Sequence, residues 1–141
     1  MPDTTRSRIE QSFARQTMMQ TFGAEIAALG EGWCEITAPI LPLARQQQGV
    51  GHAALTFALG DTAAGYAALT TMPEGREVMT AEIKINLLAP ADGVRLIARG
   101  KVVKAGRRLC VITSQVEAEA ADGSRKLVAI LQGTMISVEI T

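Results

Sequence analysis

The sequence predicts an α+β fold, one antiparallel sheet of about six strands curled around a long central helix, with an extra helix at the N-terminus. Three observations carry this. Four stretches in the second half alternate apolar and polar residues, the period of a half-buried strand. The segment before them, Ala53–Met72, is apolar on nearly all sides, so as a helix it needs cover on nearly all sides. No strand–helix–strand alternation argues for a parallel sheet. At 141 residues the chain fits one domain, 1–141, divided into an N-terminal helix (1–20) and a core (21–141).

The elements follow in order. Thr4–Gln20 favours an amphipathic helix, with Ile9 and Phe13 on one face and Arg6, Arg8, Glu10 and Arg15 elsewhere. Ala24–Leu29 and Trp33–Ile40 flank the hairpin signal Gly-Glu-Gly. Pro39, Pro42 and the run Gln46-Gln47-Gln48-Gly49 interrupt regular structure before the central helix. That helix is long enough to mimic a membrane span. However, Asp61 would cost about 2.5–3.5 kcal/mol at the centre of one, and its bulk is Ala, Thr and Gly. It reads as a buried helix of a soluble protein. In Val78–Leu88, Met79, Ala81, Ile83, Ile85 and Leu87 share one face, and Thr80, Glu82, Lys84 and Asn86 the other. Val94–Val103, Leu109–Ala120 and Leu127–Val138 complete the strands. The short connections Pro-Ala-Asp-Gly, Lys-Ala-Gly-Arg and Ala-Asp-Gly-Ser suit successive antiparallel hairpins.

Composition narrows the function. Fourteen basic and fourteen acidic side chains cancel, so there is no basic surplus to attract a nucleic-acid backbone. Cys34 and Cys110 lack metal-ligand spacing and read as buried free thiols of a reducing compartment. No signal-peptide-like apolar core precedes them, and a cytoplasmic location without membrane contact is expected. One histidine makes a His-based metal site unexpected. Ser114, Ser124 and Ser137 lack a Gly-x-Ser-x-Gly context, which disfavours a serine hydrolase. A wrapped sheet covers one side of the central helix, and a second copy of the chain could cover much of the rest, so a homodimer is expected.

The run Gln46–Asp61, "QQQGVGHAALTFALGD", followed by "TAAGYAAL", resembles the hotdog-fold acyl-CoA thioesterases of the phenylacetate-degradation (PaaI-like) type. The later "TAEIKINLLAP" and "KVVKAGRRL" resemble that family's third strand and following hairpin, so the resemblance spans roughly residues 20–138. It implies the hotdog fold and hydrolysis of an acyl-CoA without metal or redox cofactor, at sites shared in a dimer or tetramer. On this resemblance Asp61 takes the place of the catalytic carboxylate. Ala53 supplies a backbone N–H to the thioester carbonyl, Gln46 orients the attacking water, and Thr80 is a hydroxyl on the facing strand. Leu88, Ala89 and Pro90, with Lys104, Gly106, Arg107 and Arg108, correspond to segments lining the coenzyme A groove. Ala53 and Ala54 replace two glycines of the family pattern. Gln48 stands where close relatives often have a second histidine.

The chemistry fits the placement. Thioester hydrolysis builds charge on the carbonyl oxygen, and a helix N-terminus offers unpaired N–H groups to it. A carboxylate can attack directly or take a proton from water, and burial in apolar surroundings would raise its pKa. His52 is expected to position that helix start. Nine helical residues from His52 to Asp61 turn about 900° and rise about 13.5 Å, so the two face opposite sides and would act in one site only from different subunits. Two other readings stand beside this one. Gly60-Asp61 could cap a helix instead, and the chain could be an acyl-CoA-binding module without turnover. A hotdog dehydratase is weaker, lacking its usual His-plus-acid arrangement.

Overall fold

The computed structural model describes residues 1–140. Two N-terminal helices, α1 (Asp3–Ala14) and α2 (Thr17–Thr21), precede the hairpin β1 (Glu25–Gly30) and β2 (Trp33–Pro39). The long helix α3 (Ala53–Leu69) follows, and β3 (Arg76–Leu87), β4 (Arg95–Ala105), β5 (Leu109–Glu119) and β6 (Arg125–Glu139) complete the chain. All six strands form one antiparallel sheet in the order β1-β2-β4-β5-β6-β3.

The sheet wraps α3 as its all-round apolar sequence requires. One cross-strand row, Ile36–Ala98–Val116–Ala129, is wholly buried. Small residues let the helix lie against the sheet: a Cβ on Gly100 would run into the backbone of Ala63 and Ala64. Ala63, Ala64, Ala67 and Ala68 are accordingly buried. Cys34 and Cys110 are buried free thiols, as expected. The opposite face of the sheet carries the next row, Glu35–Arg99–Gln115–Ile130, where Arg99 lies 4.5 Å over the Trp33 ring.

Three expectations need correction. The N-terminal helix is broken at Arg15–Gln16, because α2 turns to bury Met19 while α1 buries Ile9. The connection containing Pro-Ala-Asp-Gly is no hairpin: β3 crosses to pair with β6, and β4 pairs with β2 and β5. Only the other two connections join neighbouring strands. Strict alternation in β3 also fails. A register shift between Thr80 and Glu82 leaves Ala81 unpaired, which separates Met79, 58% exposed, from the half-buried Ile83 and Ile85. Val78 and Thr80 therefore share the helix side with those isoleucines.

Alpha1 is tied to the far end of α3. The Arg8 guanidinium donates to the carbonyls of Leu69 (2.9 Å), Met72 (3.0 Å) and Pro73 (2.6 Å), satisfying acceptors that a helix C-terminus leaves open. Among the described residues, no helix is long and apolar enough to cross a membrane.

Candidate active site

The loop before α3 is folded onto the β3–β4 connection. Gly51 bridges Arg45 on one side and Ala91 on the other. Gly49 adopts φ +89°, a left-handed turn that favours glycine. Arg45 clamps the loop by donating to Gly49 O (2.6 Å) and Ile40 O (2.8 Å). The Gln46 side-chain carbonyl accepts from the Gln48 N–H.

His52 caps α3. Its backbone is extended, and its Nδ1 accepts from the Ala54 N–H at 2.8 Å. As an acceptor, Nδ1 carries no proton, so the ring N–H of the neutral imidazole lies on Nε2. The Ala53 N–H, first in the helix, has no partner among the described residues. A cavity of about 720 Å³ opens there, and it brings together Gln46, Gln48, His52, Ala53, Leu88, Ala89 and Pro90.

Asp61 sits in the middle of α3, which rules out the capping reading of Gly60-Asp61. It is half-buried rather than enclosed. The Thr80 hydroxyl donates to its Oδ1 at 2.7 Å, a contact made possible by the unpaired Ala81. Beside it, a polar cavity of about 350 Å³ is lined by Ser12, Gln16, Tyr66 and Glu77 among others. Gln16 donates to the Tyr66 hydroxyl at 2.7 Å, which also meets Ser12 Oγ at 3.0 Å; Ser12 in turn donates to Glu77 (3.2 Å). Burial pushes the Tyr66 phenol above its ordinary range, against the opposing pull of those hydrogen bonds. Sequence reading did not identify this network. Its members lie far apart in the chain, and only the helix break at Gln16 brings them beside Asp61.

The predicted residues therefore fall into two groups within one chain. Ala53 and Asp61 are eight helical steps apart, about 12 Å along the axis and about 80° around it. They border opposite ends of an apolar groove of about 580 Å³ along α3. One carbonyl cannot meet both. Lys104, Gly106, Arg107 and Arg108 lie at the β4–β5 hairpin, exposed and without an ion pair among the described residues. Leu88–Pro90 lead into the other end of β4, eleven residues away. That is a separation of about 35 Å at the usual strand rise. Among the described residues, no cluster of His, Cys, Asp and Glu could hold a metal ion.

Comparison with known proteins agrees with the fold. The family model of the thioesterase superfamily matches residues 48–123, which hold the end of the loop, α3 and the strands β3 to β5. A thioesterase-family protein from Silicibacter pomeroyi is 38% identical and superposes with a TM-score of 0.93, covering 96% of this chain and 99% of that one. Two more distant structures share the fold. The Escherichia coli PaaI protein of the phenylacetic acid degradation operon has a TM-score of 0.84 at 20% identity, covering 97% and 95% of the two chains. A Bacillus halodurans protein solved with CoA has a TM-score of 0.74 at 24% identity, covering 96% and 89%. A six-stranded antiparallel sheet wrapped on one long helix, with these matches, defines the class as hotdog-fold thioesterases. The chain belongs to the thioesterase superfamily and is a thioester hydrolase.

Proposed function

We propose that this chain hydrolyses acyl-CoA thioesters at sites completed by two subunits. One observation carries the reading: a single helix bears an unpaired N–H at its start and, about 12 Å further on, a carboxylate oriented by Thr80. Two antiparallel copies of α3 across a two-fold axis would set Ala53 of one chain against Asp61 of the partner subunit. The same operation would bring the Lys104–Arg108 hairpin of one copy toward the Leu88–Pro90 turn of the other, offering cations to the CoA phosphates.

In this arrangement the thioester carbonyl accepts a hydrogen bond from the Ala53 N–H, and the helix dipole favours the developing oxyanion. Asp61 takes a proton from water as the water oxygen bonds the carbonyl carbon, or its oxygen attacks directly and water resolves the anhydride. Gln46, whose carbonyl is engaged by Gln48, keeps its NH₂ to orient that water. The C–S bond breaks, the thiolate leaves with a proton, and acid and free CoA result. These steps use no metal or redox cofactor. The bound CoA of the Bacillus halodurans structure supports CoA as the carrier.

The test is free-thiol release from a panel of acyl-CoAs by wild type and Asp61→Asn. We expect the variant to lose about 10²–10⁴-fold in rate. Equal turnover would remove Asp61 from the mechanism. Tight binding with no turnover by wild type would instead assign a binding module, in which the exposed Ala53 and Ala54 methyls spoil the approach to the donor.

A further inference from the structure

We propose that Glu77 is the proton exit of the shared site, receiving through Tyr66 and Ser12 the proton that the acid product sheds beside Asp61. This rests on the thioesterase reading above and adds a relay to it. In that reading the α3 face bearing Ala53 and Asp61 is covered by the partner subunit, so a proton released there needs a path through the chain itself. The polar cavity of about 350 Å³ supplies one, because Asp61, Gln16, Tyr66 and Glu77 all line it. Tyr66 lies five helical steps beyond Asp61, about 140° further round the axis. It sits on the side of α3 that packs on α1, where its ring meets Phe13 edge-on at 6.0 Å.

The hydrogen bonds between these groups run in one direction. The Gln16 amide N–H can only donate, and it donates to the Tyr66 oxygen at 2.7 Å. The Tyr66 O–H is left to donate to Ser12 Oγ at 3.0 Å, and the Ser12 O–H donates to Glu77 Oε2 at 3.2 Å. The Val78 N–H holds Glu77 in place by donating to its Oε1 at 3.1 Å. Tyr66 and Ser12 are buried, whereas Glu77 is half-buried and reaches solvent. That direction matches what hydrolysis needs. Once the thiol has left, a carboxylic acid stands next to ionised Asp61 and holds its proton, because two carboxylate charges at one place repel. The product O–H bond breaks, its proton crosses the cavity on water to the Tyr66 oxygen, the Tyr66 proton moves to Ser12 and the Ser12 proton to Glu77. The product leaves as a carboxylate, Glu77 becomes neutral, and each hydroxyl ends with one proton. Glu77 then returns the proton to bulk water, and rotation of the two hydroxyls restores the chain. The other charged wall of the cavity is Arg15, just after α1, while β6 contributes only Met135.

The experiment measures kcat and KM by thiol release for wild type, Tyr66→Phe, Glu77→Gln and the double variant, over a range of imidazole concentrations. We expect kcat of each single variant to fall about 10-fold with KM nearly unchanged, less than the loss for a group that moves a proton in the transition state itself. The double variant should be no slower than either single one, because one broken link stops the chain. Rising imidazole should restore kcat in both single variants and leave wild type unaffected, since a small base takes the proton from the cavity directly. If Tyr66→Phe does not fold, Ser12→Ala breaks the same link. A lowered kcat that imidazole does not raise, together with a lowered urea midpoint, would assign the network a structural role and overturn the proposal. So would losses that multiply in the double variant. A wild type that releases no thiol from any acyl-CoA removes the thioesterase reading and the relay together. An active wild type matched by Glu77→Gln removes the relay alone.

Discussion

Thr80 reaches Asp61 only because Ala81 is left unpaired in the ladder. An uninterrupted alternation would put Thr80 on the face opposite Ile83 and Ile85, and the carboxylate would lose its hydroxyl partner. We expect Thr80→Val to lower kcat about tenfold, the scale of one lost hydrogen bond to a charged group, with little change in the urea midpoint. An unchanged kcat in the thiol-release assay would reduce Thr80 to a strand residue. Cys34 gives a second test at this scale. Burial, with a smaller push from Glu35, raises its thiol to about 12 from an ordinary 9.0. The folded chain thus holds a proton that the unfolded chain releases, so stability is fully present below about pH 9 and declines as pH rises toward 12. Each pH unit in that window removes up to about 1.4 kcal/mol. Urea midpoints measured from pH 8 to 10.5 should fall, and Cys34→Ala should flatten part of that fall; identical slopes would mean the thiol is not the group responsible.

Alpha3 owes its position to what is missing from β4. With no side chain on Gly100, the helix backbone at Ala63 rests directly on the strand. Gly100→Val would force them apart, and overpacking of this kind destabilises by about 1–3 kcal/mol. A lowered urea midpoint checks this; an unchanged one would show that the helix sits elsewhere. The elements themselves were legible in the sequence because their periods differ: residues 78–88 and 109–120 alternate, and 53–72 does not. Their neighbours were less so. Pro-Ala-Asp-Gly has turn chemistry, but turn residues say that the chain bends and not which strand it meets next, and β3 pairs with β6 instead. The helix break at Gln16 carries no Gly or Pro, so the network joining Ser12, Gln16, Tyr66 and Glu77 left no local trace. At the site, the loop and helix start could be read from Gln46–Ala54. The choice of Thr80 rested on family resemblance, since a bulge leaves alternation almost intact over the few residues on either side of it.

At the scale of the whole molecule, the candidate groups are paired in sequence but parted in space. Ala53 and Asp61 lie about 12 Å apart on one helix, and the two segments proposed to line the CoA groove lie at opposite ends of β4. The two-fold arrangement proposed above would remove both separations. In it, β3, an edge strand with no second neighbour in the chain, would lie beside its copy. The most direct measurement mixes two inactive chains. Ala53→Pro deletes the helix-start N–H while keeping helical backbone, because proline is tolerated at the first helical position. His52 already has the extended conformation, φ −65° and ψ 144°, that a following proline requires. Co-expressed with Asp61→Ala and purified as the mixed assembly, it leaves one site with an intact Ala53 from one chain and an intact Asp61 from the other. The account predicts that each variant alone is inactive and that the mixed dimer recovers about half the wild-type thiol release. A mixed dimer as inactive as its parents would contradict a shared site.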